Sequence, residues 1–310
     1  MPLQDVIARA ITQATGEIFR PESRQGVSGG DINTAEILKG GGRSYFVKSN
    51  DATRLDMFAA ESEGLTEIAN SRTVHVPQPV CLGTHGDRAY LVLEYLDIGL
   101  GVGKSDPQGR GGDARGRTPV ATDELLGRQL AAMHHVTQSC FGWRRNNTIG
   151  STPQINTGEH DWVTFYREHR LRFQLDLADQ NGFGGNLRRR GEELLEKMPV
   201  FFANYQPPPS LLHGDLWGGN HATLSDGTPV IYDPAVYYGD READLAMTEL
   251  FGGYSDVFYA AYQEAWPLDH GYRVRRDLYN LYHVFNHLNL FGGGYRRQAE
   301  GLIDRLLSAA

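Results

Sequence analysis

Apolar residues recur at helical spacing over residues 3–14, where Leu3, Val6, Ile7, Ala10, Ile11 and Ala14 form one stripe, and this predicts an amphipathic helix packed on a sheet. The pattern then turns strand-like. Runs at 17–25 and 34–39 flank the glycine-rich stretch Gly26–Asn33, and Ser44-Tyr45-Phe46-Val47-Lys48 alternates before ending in a cation. A helix follows from about Thr53 to Asn70, with Met57, Phe58, Leu65 and Ile68 as its apolar face. Pro77-Gln78-Pro79 breaks the chain before a strand at 80–84, Gly86-Asp87 reverses it, and 89–96 reads as a buried strand. Residues 99–119 hold many glycines, several basic residues and almost no apolar content, which predicts a mobile loop with Arg110, Arg115 and Arg117 as solvated charges. Beyond it the period is helical over 122–137, 162–180, 188–205, 243–251, 255–265, 274–290 and 296–307. Only the apolar pairs Leu211-Leu212 and Val230-Ile231 interrupt it, so the chain reads as α+β with its strands first.

Those two pairs frame the residues that carry chemistry. Leu211-Leu212 runs into His213-Gly214-Asp215-Leu216-Trp217-Gly218-Gly219-Asn220, and Val230-Ile231-Tyr232 runs into Asp233-Pro234-Ala235. An Asp and an Asn at this separation, followed by a second Asp at a strand end, match the kinase catalytic loop and its metal-binding Asp. A transferred phosphoryl group needs an acceptor hydroxyl held in line and divalent metal against the charge of the phosphates. Asp215 is therefore the candidate base, and Asn220 and Asp233 are the candidate oxygen ligands to Mg²⁺. Alone, His-Gly-Asp reads as a tight turn whose Asp caps an amide; three polar residues between two strands favour catalysis. Lys48 is either an ordinary edge-strand lysine or the cation whose ammonium reaches the α- and β-phosphates of a nucleotide, with Glu61 and Glu63 on the next helix both available to orient it. Trp217, a large aromatic two residues after Asp215 in a loop of small residues, is the candidate wall of a substrate pocket, or else a packing residue. His213 reads as a brace of the loop, and Asp240 and Asp244 as anchors that cap the helix starting near Glu242. The neighbours His134 and His135 point in different directions on their helix and read as core or capping residues.

Charge and composition narrow the partners. A net charge of -8 disfavours nucleic acid and anionic membrane and favours a small molecule. With only Cys81 and Cys140 there is neither a disulfide framework nor a zinc cluster, so a reducing cytoplasm is the expected compartment. The first residues lack a basic region before an apolar core, and no apolar run approaches membrane-spanning length.

The catalytic run, continued through Val236-Tyr237-Tyr238-Gly239-Asp240-Arg241-Glu242-Ala243-Asp244, resembles the fructosamine/ketosamine-3-kinase family. This is a branch of the protein-kinase-like fold beside aminoglycoside phosphotransferases and choline kinases, from which the loop Trp and the Tyr-Tyr-Gly-Asp-Arg-Glu run separate it. The resemblance covers nearly the whole chain, including Tyr282–Tyr295, whose polar residues either border a sugar pocket, with His287 among them, or lie in a buried helix. It implies a bilobal fold with ATP and Mg²⁺ in the cleft: a small antiparallel-sheet, nucleotide-binding lobe over 1–97, a lobe-boundary loop over 98–120, and a mainly helical catalytic and substrate-binding lobe over 121–310. Gly26–Asn33, a hairpin turn when read alone, becomes the nucleotide-covering loop, with Gly29, Gly30, Asp31 and Asn33 as its candidates. Some relatives carry Cys where Asp31 stands, so thiol chemistry is not expected there. The resemblance favours Glu61 over Glu63, through Met57-Phe58-x-x-Glu61, and assigns the adenine edge to the Glu94 carbonyl and the Leu96 amide. The implied reaction is ATP-dependent phosphorylation of the sugar 3-hydroxyl of a ketosamine, on a small glycated amine or on a glycated protein lysine. Its rivals are another small-molecule kinase of the same fold and a nucleotide-binding regulator without catalysis.

Overall fold

The structure, a computed structural model, describes residues 1–27, 32–98 and 120–310. Gly29, Gly30, Asp31 and the 99–119 stretch lie outside the described residues. Two compact units are present, one of Met1–Leu126 with His221–Pro234 and the other of Gly127–Asn220 with Ala235–Ala310. The chain passes from one to the other after Leu126, Asn220 and Pro234. Among the described residues no helix is long and apolar enough to cross a membrane.

The first unit opens with the expected helix, α1 (Leu3–Thr15), which ends where Gly16 takes a φ of 74°, a conformation that costs glycine nothing. Ile7 and Ile11 of its stripe pack on Leu38, Val47, Tyr90 and Val92 of the sheet. The sheet holds β1 (Ser23–Val27), β2 (Thr34–Gly40), β3 (Arg43–Asp51), β4 (Pro79–His85) and β5 (Arg88–Glu94), all antiparallel in the order β1-β2-β3-β5-β4. The first strand begins later than the 17–25 expectation because Pro21 has no amide to give a ladder, and Gly26 and Val27 extend the strand opposite Glu36 and Ala35. Helix α2 (Leu55–Ser71) buries Met57, Phe58, Leu65 and Ile68, the face read from its period. A hairpin of His221–Thr223 and Pro229–Ile231 belongs to this unit, and the Ile231 amide donates to the His75 carbonyl over 3.1 Å. That bond fixes the strand that delivers Asp233.

In the second unit, helix α3 (Val120–His134) leads to a hairpin of Asn147–Ile149 and Thr152–Gln154 that the sequence pattern does not reveal. Of its four buried side chains three are polar, Asn147, Thr152 and Gln154, and only Ile149 is apolar. Asn147 and Gln154 turn inward to donate to the Val236 and Ala235 carbonyls at 2.8 and 3.0 Å, which removes the alternation by which a strand is recognised. The helix expected over 162–180 is a helical run in which a π-turn at Arg167–Arg172 stands between α-turns at Trp162–Tyr166 and Phe173–Ala178, and it breaks beyond Asp179, where Gly182 takes a φ of 85°. The helix expected to 205 is α-helical over Asn186–Lys197 and tightens into a 3₁₀ turn over Met198–Phe202, at Pro199. Helices Glu242–Leu250, Asp256–Ala265, Tyr272–Phe291 and Arg296–Ala309 follow the remaining periodic segments. Strand Ser210–Leu212 pairs antiparallel with Tyr237–Gly239, which fixes the chain on either side of the motif residues.

Candidate active site

Within the first unit Lys48, Glu61 and Asp233 meet. The Lys48 ammonium, on β3, donates to Glu61 Oε1 on α2 and to Asp233 Oδ1 after the hairpin, each at 2.6 Å. Residues two apart on a helix face in very different directions, so Glu61 is the partner that reaches Lys48 and not Glu63. Burial disfavours charge on the ammonium, yet Asp233 and then Glu61 more than offset it and hold the lysine above its ordinary range. Glu61 is itself lifted, first by burial and then by the Asp233 carboxylate, against the pull of Lys48. One cation between two carboxylates stays protonated, and that is the state that governs the triad. Asp233 adopts a left-handed φ of 58°, and its side chain is 46% exposed, so the carboxylate faces solvent as well as Lys48.

Nearby, the Asn50 amide donates to Asn33 Oδ1 at 2.8 Å and to the Ile32 carbonyl at 2.9 Å, tying the end of the glycine-rich stretch to β3. β5 ends at Glu94. The Glu94 amide donates to the Gln78 carbonyl at 2.8 Å, and the Leu96 carbonyl accepts from the Ile98 amide at 3.0 Å.

Within the second unit the motif loop is held from behind by one carboxylate. Asp244 Oδ2 accepts from the His213 amide at 2.7 Å and Oδ1 from the Gly214 amide at 2.8 Å. His134 Nε2 lies 3.2 Å from Oδ2, and its Nδ1 lies 2.8 Å from the Tyr262 hydroxyl. A carboxylate only accepts, so the neutral imidazole donates through Nε2 and receives the Tyr262 proton at Nδ1. Burial keeps His134 below its ordinary pKa in spite of Asp244. Burial would raise the Asp244 carboxyl, but the hydrogen bond from His134, then the neighbouring His213 and the bond from the Gly214 amide, carry it below the usual range. The expectation that Asp244 caps the following helix is therefore corrected: the Glu242 amide at that helix start is taken by Asp240 Oδ1 at 3.0 Å, while Asp244 reaches back to the loop. Neither Asp244 nor His134 announces this in the sequence, because they stand 31 residues after and 79 before the His213 that they serve.

The loop itself is tight. Gly214 has a φ of 83°, and a Cβ there would come within 2.1 Å of the Ala235 carbonyl oxygen. The Asp215 amide donates to His213 Nδ1 at 3.2 Å. Asn220 turns its amide nitrogen onto Asp215, 2.9 Å from the carbonyl and 3.4 Å from Oδ2, so these two motif residues are in contact. Trp217 is 38% exposed and meets Phe251 edge to face, with ring centres 6.4 Å apart. His287 touches the same phenylalanine at 5.0 Å.

A chain with an antiparallel sheet unit, a Lys-Glu-Asp triad and an Asp-Asn loop has the build of a kinase-like phosphotransferase. The fold agrees: the structure of an aminoglycoside phosphotransferase overlays with a TM-score of 0.61 at 15% identity, covering 100% of this chain and 99% of that one. The model of the family described as fructosamine kinase matches residues 3–309, and the chain belongs to that family. A Synechocystis protein named as a probable ketoamine kinase is 45% identical over 302 residues, 97% of this chain and 96% of its own length. The chloroplastic protein-ribulosamine 3-kinase of Arabidopsis thaliana is 42% identical over 286 residues, 91% of this chain and 81% of its own length. A solved structure from Thermobifida fusca described as a fructosamine-3-kinase is 32% identical, with a TM-score of 0.79 over 97% of this chain and 98% of that one.

Proposed function

We propose that this protein transfers the γ-phosphoryl group of ATP to the sugar 3-hydroxyl of a ketosamine, after which the phosphorylated adduct breaks down and frees the amine. The observation that carries this reading is the fructosamine kinase match over 3–309 together with the Asp215–Asn220 contact in the motif loop. In this reading Asp215 orients the hydroxyl and accepts its proton as the phosphoryl group leaves ATP. Lys48, held charged between Glu61 and Asp233, binds the α- and β-phosphates. Gly29, Gly30, Asp31 and Asn33 cover the phosphates, the Glu94 carbonyl and Leu96 amide bind the adenine edge, and Trp217 and His287 flank the sugar.

Asn220 and Asp233 are the residues that would hold Mg²⁺. Each offers a hard oxygen: the Asn220 nitrogen is spent on Asp215, which leaves its oxygen as the atom to ligate, and the Asp233 carboxylate is partly in solvent. Bound there, the metal neutralises charge on the β- and γ-phosphates. Glycated protein lysines are included as acceptors beside small glycated amines. The compartment is a reducing cytoplasm, in keeping with Cys81 and Cys140 both being free.

The test is turnover of ATP with fructoselysine, ribuloselysine and a glycated protein, beside choline and an aminoglycoside as controls, with phosphorus NMR to locate the phosphate. Phosphate on the sugar 3-hydroxyl supports the reading. Turnover of choline or the aminoglycoside alone would move the protein to another small-molecule kinase, and absence of ATP turnover would leave a regulator.

A further inference from the structure

Aromatic rings continue outward from the motif loop as an uninterrupted surface run. Trp217 meets Phe251 at 6.4 Å, Phe251 meets His287 at 5.0 Å, and His287 meets Phe291 and Tyr295 at 5.5 and 5.1 Å. These rings are not core. Phe251 is 42% and Phe291 52% exposed, beside Trp217 at 38%. Single exposed apolar residues need no explanation, but a contiguous aromatic strip that begins two residues from the candidate base is the kind of surface that takes a ligand.

Its position states which part of a ligand. A group that lies on Trp217 has Phe251 as the next ring and His287, Phe291 and Tyr295 beyond it. A ketosamine has two ends, a sugar rich in hydroxyls and a carbon substituent on its nitrogen. Aromatic faces at the outer end of the strip gain little from hydroxyls and much from an apolar chain, and they favour the protonated secondary amine that joins the two ends. Burial keeps His287 below its ordinary pKa, so it adds no positive charge to repel that amine near neutral pH.

We infer that Phe251, Phe291 and Tyr295 form a second subsite that selects ketosamines whose nitrogen bears an extended apolar chain, aliphatic or aromatic, over those with a small substituent. This rests on the ketosamine reading above. The experiment compares N-methyl, N-hexyl and N-benzyl fructosamines as substrates of the whole protein. The wild type is expected to favour the hexyl and benzyl compounds over the methyl compound by about 5–30-fold in kcat/KM. Phe291→Ala and Phe251→Ala are each expected to collapse that ratio to within about twofold, and Phe291→Leu to keep most of the hexyl preference while losing the benzyl one. Because Phe291 is more than half exposed, its variants keep their fold, which a thermal melt verifies. Equal use of the three compounds by the wild type overturns the subsite while leaving the ketosamine reading intact. The subsite is equally overturned if both alanine variants lower all three alike, or if the wild type is a dimer that Phe291→Ala dissociates. Failure of all three to be phosphorylated overturns both readings.

Discussion

Replacing Asp244 by Asn keeps the side-chain volume and changes one oxygen into an NH₂ group in a fully buried position. The native carboxylate accepts from the His213 and Gly214 amides at 2.7 and 2.8 Å and from His134 at 3.2 Å. Asn retains a single acceptor atom, so one backbone amide of the loop faces another donor. A buried hydrogen bond to a charged group is worth about 1.5–3 kcal/mol, and an orphaned buried amide costs about 1–3 kcal/mol more. The sum, about 2.5–6 kcal/mol, corresponds to a fall in melting temperature of about 4–9 °C at an unfolding entropy of about 2.1 cal/mol/K per residue over a chain of this size. The loop that carries Asp215 would also lose its anchor, and a misplacement of about 1 Å at a reacting group costs roughly 10²-fold in rate. Scanning fluorimetry gives the melting temperature and steady-state kinetics with a ketosamine give kcat. A variant that melts within about 2 °C of the wild type and keeps more than half its turnover would refute the idea that Asp244 anchors the loop.

Asp215→Asn should lower kcat by about 10²–10⁴ with ATP binding nearly unchanged by calorimetry; retention of most turnover would remove Asp215 from its role as base. Asp233→Asn should abolish turnover, whereas Asn220→Ala should recover in part with excess Mg²⁺, since water can replace one neutral ligand; an unaltered metal titration in both would dismiss them as ligands. Trp217→Ala should reduce kcat/KM for fructoselysine by about 5–30-fold with little change in the KM for ATP, and a lowered melting temperature without that loss would make it a packing residue. Acid should destabilise the protein from about neutral pH downward. Burial holds His221 at about 4 and His283 at about 3, both below the usual 6.5, so the unfolded chain binds protons that the native state refuses. The stabilisation is complete above the ordinary histidine value and is lost as pH falls toward the native ones, up to about 2 kcal/mol for each residue by pH 5. Urea unfolding between pH 7.5 and 5 measures it, and a flat profile would contradict the assignment.

What the sequence makes legible follows physical range. The α1 stripe and the α2 face are visible because helical periodicity is local, and Asp215 with Asn220 is visible because their spacing lies within a single loop. Three features have no such signal. The Asn147–Gln154 hairpin points polar side chains inward to bind the 235–236 backbone, so its pattern imitates a loop. The π-turn at Arg167–Arg172 takes up an extra residue and so changes which residues face inward, with no sequence mark of its own. There Arg170 lies fully buried, its guanidinium 4.1 Å over the Tyr237 ring and 2.7 Å from Asn156 Oδ1, although nothing in its local pattern marks an arginine for the interior. The hold of Asp244 on the loop depends on tertiary contact, and a helix-start Asp is more simply read as a cap.

The left-handed backbone of Asp233 bears on how a protein of this kind can lose its activity. Among ordinary residues, Asn, Asp and Gly are the ones that occupy φ near 58° with little strain. At this position a change to Asn or Gly therefore removes the carboxylate while leaving the chain path unstrained, and Glu61 still partners Lys48. Alanine at the same place adds a conformational cost to the chemical loss. The shortest mutational route from a working kinase to a folded, silent nucleotide-binding relative thus runs through a single codon at Asp233, and Asn or Gly there, rather than Ala, is the substitution by which to build one.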